Sequence, residues 1–349
     1  MNRAATAQFA SSQPATRTKI PCRPILAPPR PDMFEPVSCY LCGGTDTVPL
    51  VTAEDDLTGK PGRFTFVTCR RCGLAYQSPR LKLEHIGAYY DEEYIAHRRK
   101  TNWGWLTPLY RRAMDKLDRA KIATVGENIA LEPETKVLDV GCGAGSFLAK
   151  LRSTYGAAVT GVDFKDLSGS PWLEGVEFRC GLFYEQAFGD RRFDLITMWH
   201  FLEHDYDPPR SLQFARDLLA PEGRLVIEVP RLDCLTWRLY RERWPGLQAP
   251  QHTVLLSRAS LLDMLAQAGL EVIDHRPYGA FPPYFYLFAG AAFKLLKGKG
   301  LNLDRAILPY FLGQILLSPF LLFERRLNLA MQTVVCRPSP SGARRGNDA

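Results

Sequence analysis

The segment Asp139-Val-Gly141-Cys-Gly143-Ala-Gly145-Ser146 joins a run of strand type to a run of helix type. Glycines at this spacing permit a tight turn at the carboxyl end of a strand and let a ligand approach bare backbone, with the next helix N-terminus facing it. A dinucleotide-binding turn reads G-x-G-x-x-G. Here the third glycine comes one residue early and position 146 is Ser, so a nicotinamide dinucleotide fits worse. The next strand, Val159-Thr-Gly-Val-Asp163, ends in a carboxylate 18 residues after Gly145. An acceptor-only group there is suited to two ribose hydroxyls, the alternative being a capping or surface Asp.

A second group of reactive types follows a later strand, in Trp199-His200-Phe-Leu-Glu203-His204, and a further histidine stands at His252. A histidine near its ordinary pKa of about 6.5 takes a proton from a substrate at neutral pH. If residues 201–204 begin a helical turn, His200 and His204 share a face at i, i+4. The competing reading has Glu203 and His204 bonding backbone and shaping the loop.

A third group is Cys39-Tyr-Leu-Cys42-Gly43 and Cys69-Arg-Arg-Cys72-Gly73. Two knuckles separated by a strand with alternating Phe64, Phe66 and Thr68 present four thiolates tetrahedrally to Zn²⁺ and leave no open position. The expected zinc is therefore structural. Nine cysteines, an odd number with four in paired spacings, fit a reducing compartment and hence a cytoplasmic location better than a disulfide framework.

These groups need a scaffold, and the chain alternates accordingly. Strands are expected at Val137–Val140, Val159–Asp163, Val176–Arg179, Phe193–Met198, Arg224–Val229, Leu270–His275 and Gln332–Cys336, with helices from Ser146, over Pro209–Ala220 and around Ser260–Ala268. This is a wound α/β sheet. Thr107 and Pro108 announce an earlier helix whose Leu109, Ala113, Leu117 and Ala120 share a face, and Tyr89, Tyr90 and Tyr94 before it are candidate substrate contacts. The expected division is a disordered tail 1–35, a zinc-ribbon module 36–80, a helical linker 81–130, a core 131–280, an apolar helical insertion 281–330, a last core strand 331–336 and a second disordered tail 337–349.

The glycine turn, Asp163, the Phe193–His204 strand and loop, and Leu219-Ala-Pro-Glu-Gly223 before its strand together resemble the class I S-adenosylmethionine-dependent methyltransferases. The resemblance covers roughly residues 100–280 and implies a Rossmann-like sheet binding S-adenosylmethionine. It implies cofactor contacts at Asp139, Gly141, Gly143, Gly145, Asp163, Gly181, Leu182 and Trp199, and a base among His200, Glu203, His204 and His252. Leu182 stands where many members place an Asp near adenine, so backbone groups at Gly181 and Leu182, with Phe183 packing nearby, take that role. The knuckles, the Leu-Glu-His loop and Pro250-Gln-His252 are similar to those of methyltransferases encoded among polysaccharide-assembly genes. Zinc-carrying sugar C-methyltransferases are a more distant likeness, with Gln251-His252 in place of their Glu-His and Ala249 in place of their Tyr.

The net charge of +7 is confined to the ends: residues 1–31 carry +5 and 337–349 carry +2, leaving nothing for a nucleic-acid surface. The leader is rich in Pro, Ala, Ser and Thr and lacks the apolar run of a secretory signal. Two apolar stretches, 284–296 and 307–323, are flanked by Lys and Arg, and their length and prolines argue against spanning a membrane. Shallow lipid insertion and a lid buried on the core or on a second subunit are the two expectations. The expected activity is methylation of a nucleotide- or lipid-linked sugar. The alternatives are a quinone or lipid acceptor, and a zinc-ribbon protein that only binds a partner.

Overall fold

The computed structural model describes residues 27–90, 107–301, 303–321, 323 and 326–340. The expected tails up to residue 26 and beyond 340, and Tyr94, lie outside the described residues. A small N-terminal unit comprises β1 (Phe34–Glu35), β2 (Thr47–Ala53), β3 (Phe64–Cys69), β4 (Ala75–Gln77), β5 (Arg80–Leu81) and α1 (Leu83–Ile86). The core follows as α2 (Thr107–Gly126), β6 (Lys136–Val140), α3 (Ser146–Tyr155), β7 (Ala158–Asp163), β8 (Glu177–Cys180), β9 (Phe193–Trp199), α4 (Pro208–Leu218), β10 (Leu219–Pro230), α5 (Leu235–Tyr240), β11 (Val254–Leu255), α6 (Arg258–Gln267) and β12 (Leu270–Arg276). Then come α7 (Tyr284–Leu296), α8 (Leu303–Leu321) and β13 (Met331–Pro338).

Seven strands form one sheet in the order β12-β13-β10-β9-β6-β7-β8, parallel except for β13, which runs antiparallel between β10 and β12. The central strands β6, β7 and β9 and the second half of β10 are buried on both faces, which is why they read as near-continuous apolar runs. Alternate residues divide between two cores: Val137, Leu195 and Val226 pack with Phe147, Leu148 and Leu151 of α3, while Leu138, Ile196 and Ile227 pack with Leu212 of α4 and Leu261 of α6. Local signals set the ends. Gly145 starts α3 at φ 88° and Gly156 ends it at φ 73°. Asp207 caps α4, where Pro208 opens the helix, and Ser257 and Ser260 form a capping box on α6.

Three boundaries differ from the sequence reading. Phe34–Glu35 pairs with Arg80–Leu81, so the first tail cannot extend to residue 35, and β13 continues to Pro338. The core-facing side of α2 is Asp118, Ile122 and Val125, while Leu109 is exposed, because the helix meets α3 through its C-terminal half. The N-terminal unit is also built into the core. Its sheet runs β11-β4-β3-β2, taking Val254–Leu255 from the core as a fourth strand, and Val67, Leu74 and Tyr76 share the apolar cluster of α4 and α6.

Candidate active site

β6 ends at Val140, and Gly141, Gly143 and Gly145 follow with φ of 73°, 53° and 88°, conformations that L side chains rarely adopt. A Cβ on Gly145 would also stand 2.3 Å from the Leu173 side chain. The turn is tied to the next strand through Asp163, whose two carboxylate oxygens accept the N–H groups of Gly143 and Lys165, each at 3.0 Å. Burial pushes the Asp163 carboxyl up to about 6 while those N–H groups pull it down, so it is ionised at neutral pH. An ionised carboxylate is an acceptor-only group, suited to hydroxyl donors.

A cleft of about 790 Å³, open to solvent, lies at these strand ends. Its lining includes one set of residues at the glycine turn and the ends of β7 and β8, Gly141, Gly143, Asp163, Gly181, Leu182 and Phe183, and a second set, Tyr90, His200 and His204, with Phe201 between them against Gly141 and its ring 6.4 Å from that of Phe183. Bare backbone at the glycines, an ionised buried carboxylate and an apolar slot at Leu182 and Phe183 fit the phosphate-free nucleoside of S-adenosylmethionine. Three residues expected at the cofactor lie behind this lining. Asp139 is buried and accepts the Thr197 hydroxyl at 2.6 Å, and Gly145 packs under Leu173. Trp199 follows Leu195 onto the α3 side of β9, by the two-residue alternation of a strand, and its ring meets Phe147 at 5.6 Å with Lys121 Nζ 5.3 Å from its centroid.

The three histidines have separate environments. His200 follows β9 at φ 55°, its N–H held by the Glu228 carbonyl at 2.9 Å. Its ring lies between two buried carboxylates, Nδ1 at 3.3 Å from Glu203 and Nε2 at 3.3 Å from Glu228, ion pairs without strict hydrogen-bond alignment. Burial alone would lower its pKa, but the two carboxylates outweigh it and hold it at about 9. His200 is thus an imidazolium at neutral pH and has no lone pair to act as a base. Glu228 itself accepts the N–H groups of Ala280 at 2.6 Å and Phe281 at 2.9 Å, and the Phe281 ring centroid lies 5.0 Å from that of His200.

His204 sits on a single 3₁₀ turn, Leu202–His204, so the α-helical i, i+4 face shared with His200 does not form. Its Nδ1 lies 3.1 Å from the Gln251 carbonyl and 2.9 Å from the Tyr90 hydroxyl. In the tautomer that donates Nδ1–H to this carbonyl, which only accepts, Nε2 is the basic nitrogen. Burial lowers the His204 pKa, so the ring is neutral. His252 is neutral for the same reason, its Nδ1 donating to the Gly246 carbonyl at 2.8 Å. At 2% exposure it stands behind the cleft, its ring 4.4 Å from that of His204. Glu203, whose carboxylate is buried beside His200, accepts Thr253 N–H at its carbonyl at 2.7 Å.

The four knuckle cysteines converge as their spacing requires, with all four sulfurs within 4.8 Å of one another, and Cys39–Cys72 and Cys42–Cys69 at 3.3 and 3.5 Å. A tetrahedral site with Zn–S of about 2.3 Å has edges of about 3.8 Å, so the cluster is of the right size. Both knuckles turn alike, Gly43 N–H bonding Cys39 O and Gly73 N–H bonding Cys69 O. The module reaches the site through Gln77. Its N–H bonds the Thr253 carbonyl and its amide stands 3.3 Å from the carbonyls of Pro250 and His252, flanking Gln251.

Glu228 and Gln77 were absent from the sequence-based candidates. A Glu inside the apolar run Leu225-Val-Ile-Glu-Val229 was the available signal for the first. Nothing local marked Gln77, whose partners lie more than 170 residues away.

Residues 107–275 match a family model described as a methyltransferase domain. Among curated relatives, a ubiquinone biosynthesis O-methyltransferase of Coxiella burnetii is 27% identical over 143 residues, covering 39% of this chain and 60% of that protein. One of Idiomarina loihiensis is 30% identical over 152 residues, covering 40% and 62%. The match thus spans about 60% of the relatives' own length. Among solved structures, the CcbJ methyltransferase from Streptomyces caelestis aligns with a TM-score of 0.39 and 17% identity, over 64% of this chain and 90% of that one.

Proposed function

We propose that this protein transfers the methyl group of S-adenosylmethionine to an oxygen of a small acceptor that has an apolar part, with a structural zinc in the N-terminal module. The observation that carries the reading is the placement of a neutral histidine, His204, in the same cleft as the glycine turn and Asp163. S-adenosylmethionine supplies an electrophilic methyl carbon on a cationic sulfur. Asp163 holds the ribose hydroxyls, Gly141 and Gly143 admit the cofactor against backbone, and Leu182 and Phe183 flank the base. His204 Nε2 takes the acceptor's proton, its tautomer held by the Gln251 carbonyl. His200, cationic between Glu203 and Glu228, keeps that wall of the cleft in place.

A neutral histidine suits an acidic hydroxyl, such as a phenol of pKa about 10, better than a sugar hydroxyl. Among the described residues the cleft lining contains no Lys or Arg, which a diphosphate-linked sugar would call for. The relatives' names, ubiquinone biosynthesis O-methyltransferases, point the same way. A lipid-linked sugar remains a second acceptor class, supported by the sequence likeness to polysaccharide-cluster enzymes. The test is a competition assay with methyl-labelled cofactor against alkyl-substituted phenols, lipid-linked sugars and sugar nucleotides. Label in the phenols is expected, and label confined to the sugar nucleotides would refute the reading.

A further inference from the structure

The hairpin α7–α8 leaves a continuous apolar stripe uncovered. One side of α8 packs on α7, with Tyr310 5.1 Å from Tyr284 and Gly313 directly under the Tyr284 hydroxyl. On its exposed side Leu308, Leu312, Ile315 and Leu316 recur at helical spacing, Ile315 and Leu316 being 71% and 78% exposed, and Phe323 is exposed beyond the helix end. No helix among the described residues is long and apolar enough to cross a membrane, and Pro309 and Pro319 interrupt this one.

Charge selects the occupant. Residues 281–330 contain six Lys or Arg and two Asp or Glu, a net +4. Since the chain's +7 resides in its two ends, residues 32–280 carry −4. A symmetric dimer through this stripe would set +4 against +4, whereas an anionic lipid surface meets both the apolar stripe and the positive charge. The hairpin is also held at a fixed angle. At its root, Glu228 grips the backbone of Ala280 and Phe281. At its turn, Leu301 N–H bonds the Leu57 carbonyl at 3.0 Å in the β2–β3 loop of the zinc module, and Gly59 and Gly300 approach so closely that a Cβ on either would strike the other strand's backbone.

We propose that the exposed face of α8 docks on the surface of an anionic phospholipid bilayer, with its apolar stripe in the interfacial layer and its basic flanks at the headgroups. The docking stands on surface and charge alone. That it brings the cleft, whose His200 lies against Phe281 at the root of the hairpin, to a lipid-borne acceptor rests on the function proposed above.

The full chain is sedimented with phosphatidylcholine vesicles, with and without phosphatidylglycerol, alongside Ile315→Asp/Leu316→Asp and Lys297→Glu/Lys299→Glu. Binding to the anionic vesicles is expected, with weak binding to pure phosphatidylcholine, loss of binding in the first variant, and roughly tenfold weaker partition in the second. S-adenosylmethionine titration of all three proteins separates folding and catalytic function from docking. Wild-type protein that stays in solution as a dimer, dispersed by Ile315→Asp/Leu316→Asp, would overturn the proposal in favour of a second copy. Vesicle binding indifferent to both variants would overturn it as well.

Discussion

The two ends of the cleft are built on opposite terms. At the glycine turn the polar side chain proposed to meet the ligand is already anchored: both Asp163 oxygens take backbone N–H groups from neighbouring segments of the same fold. At the histidine end, charge is buried under looser terms. His200 sits between two carboxylates at 3.3 Å without good hydrogen-bond alignment, and among the described residues neither Glu203 oxygen has a hydrogen-bond donor. The parts that hold this end come from far away in the chain, Gln251 through Gln77 of the zinc module and Phe281 through Glu228. The difference teaches that the proposed cofactor end is local and sturdy, whereas the proposed acceptor end depends on whatever the added modules do.

The sharpest way to separate the ends is His204→Asn. It should lower the rate of methyl transfer by about 10²–10⁴-fold while cofactor affinity stays unchanged, as read by single-turnover transfer and calorimetry. A parallel loss of cofactor binding would merge the two ends and break the comparison.

Removing the proposed zinc is the next largest perturbation. Cys39→Ser with Cys72→Ser, or chelation, should raise hydrogen exchange at residues 250–255 and 297–301, which the module holds, before it raises exchange in β6 and β7. Exchange rising uniformly over the core would show that the module supports the whole fold equally.

The pH response should also divide. His204 and His252 have pKa values held below the ordinary one, so their neutral forms stabilise the fold above about pH 6.5, and that contribution falls as pH drops below it. His200 is raised to about 9, so its ion pairs stabilise fully below about pH 6.5 and are lost as pH rises through 9. Transfer should therefore follow a bell with an acid limb below 6.5 and an alkaline limb near 9. Glu228→Gln should move the alkaline limb to lower pH, and an unmoved limb would remove His200 from that role.

The smallest effect is expected at Gly145→Ala. Strain at φ 88° and the approach of Leu173 should cost about 1–3 kcal/mol in urea unfolding, with the pH profile unaltered.

How far the sequence could be read follows the same division. The strands, the glycine turn and Asp163 were legible because their signals are local: apolar runs of strand length, then glycines, then an acid at the next strand's end. The cysteine cluster was legible for the same reason, its two spacings being self-contained. The histidine end was legible only as a set of candidates. Which histidine is charged depends on Glu228, on β10 beside the strand that leads into His200, and no spacing announces that meeting. The family resemblance implies a cofactor contact at Trp199, but strand alternation turns that side chain to the α3 side of β9. The pairing of Val254–Leu255 with Ala75–Tyr76 joins segments some 180 residues apart, and two residues of strand leave no periodicity to detect.

The central claim, that the glycine turn and Asp163 form an S-adenosylmethionine site, is tested most directly by calorimetric titration of the cofactor into wild-type protein and Asp163→Ala. One site per chain is predicted, weakened roughly 100-fold in the variant, the equivalent of about 3 kcal/mol for hydrogen bonds to a charged acceptor. No heat of binding in the wild type, or an affinity that ignores Asp163→Ala, would contradict the account.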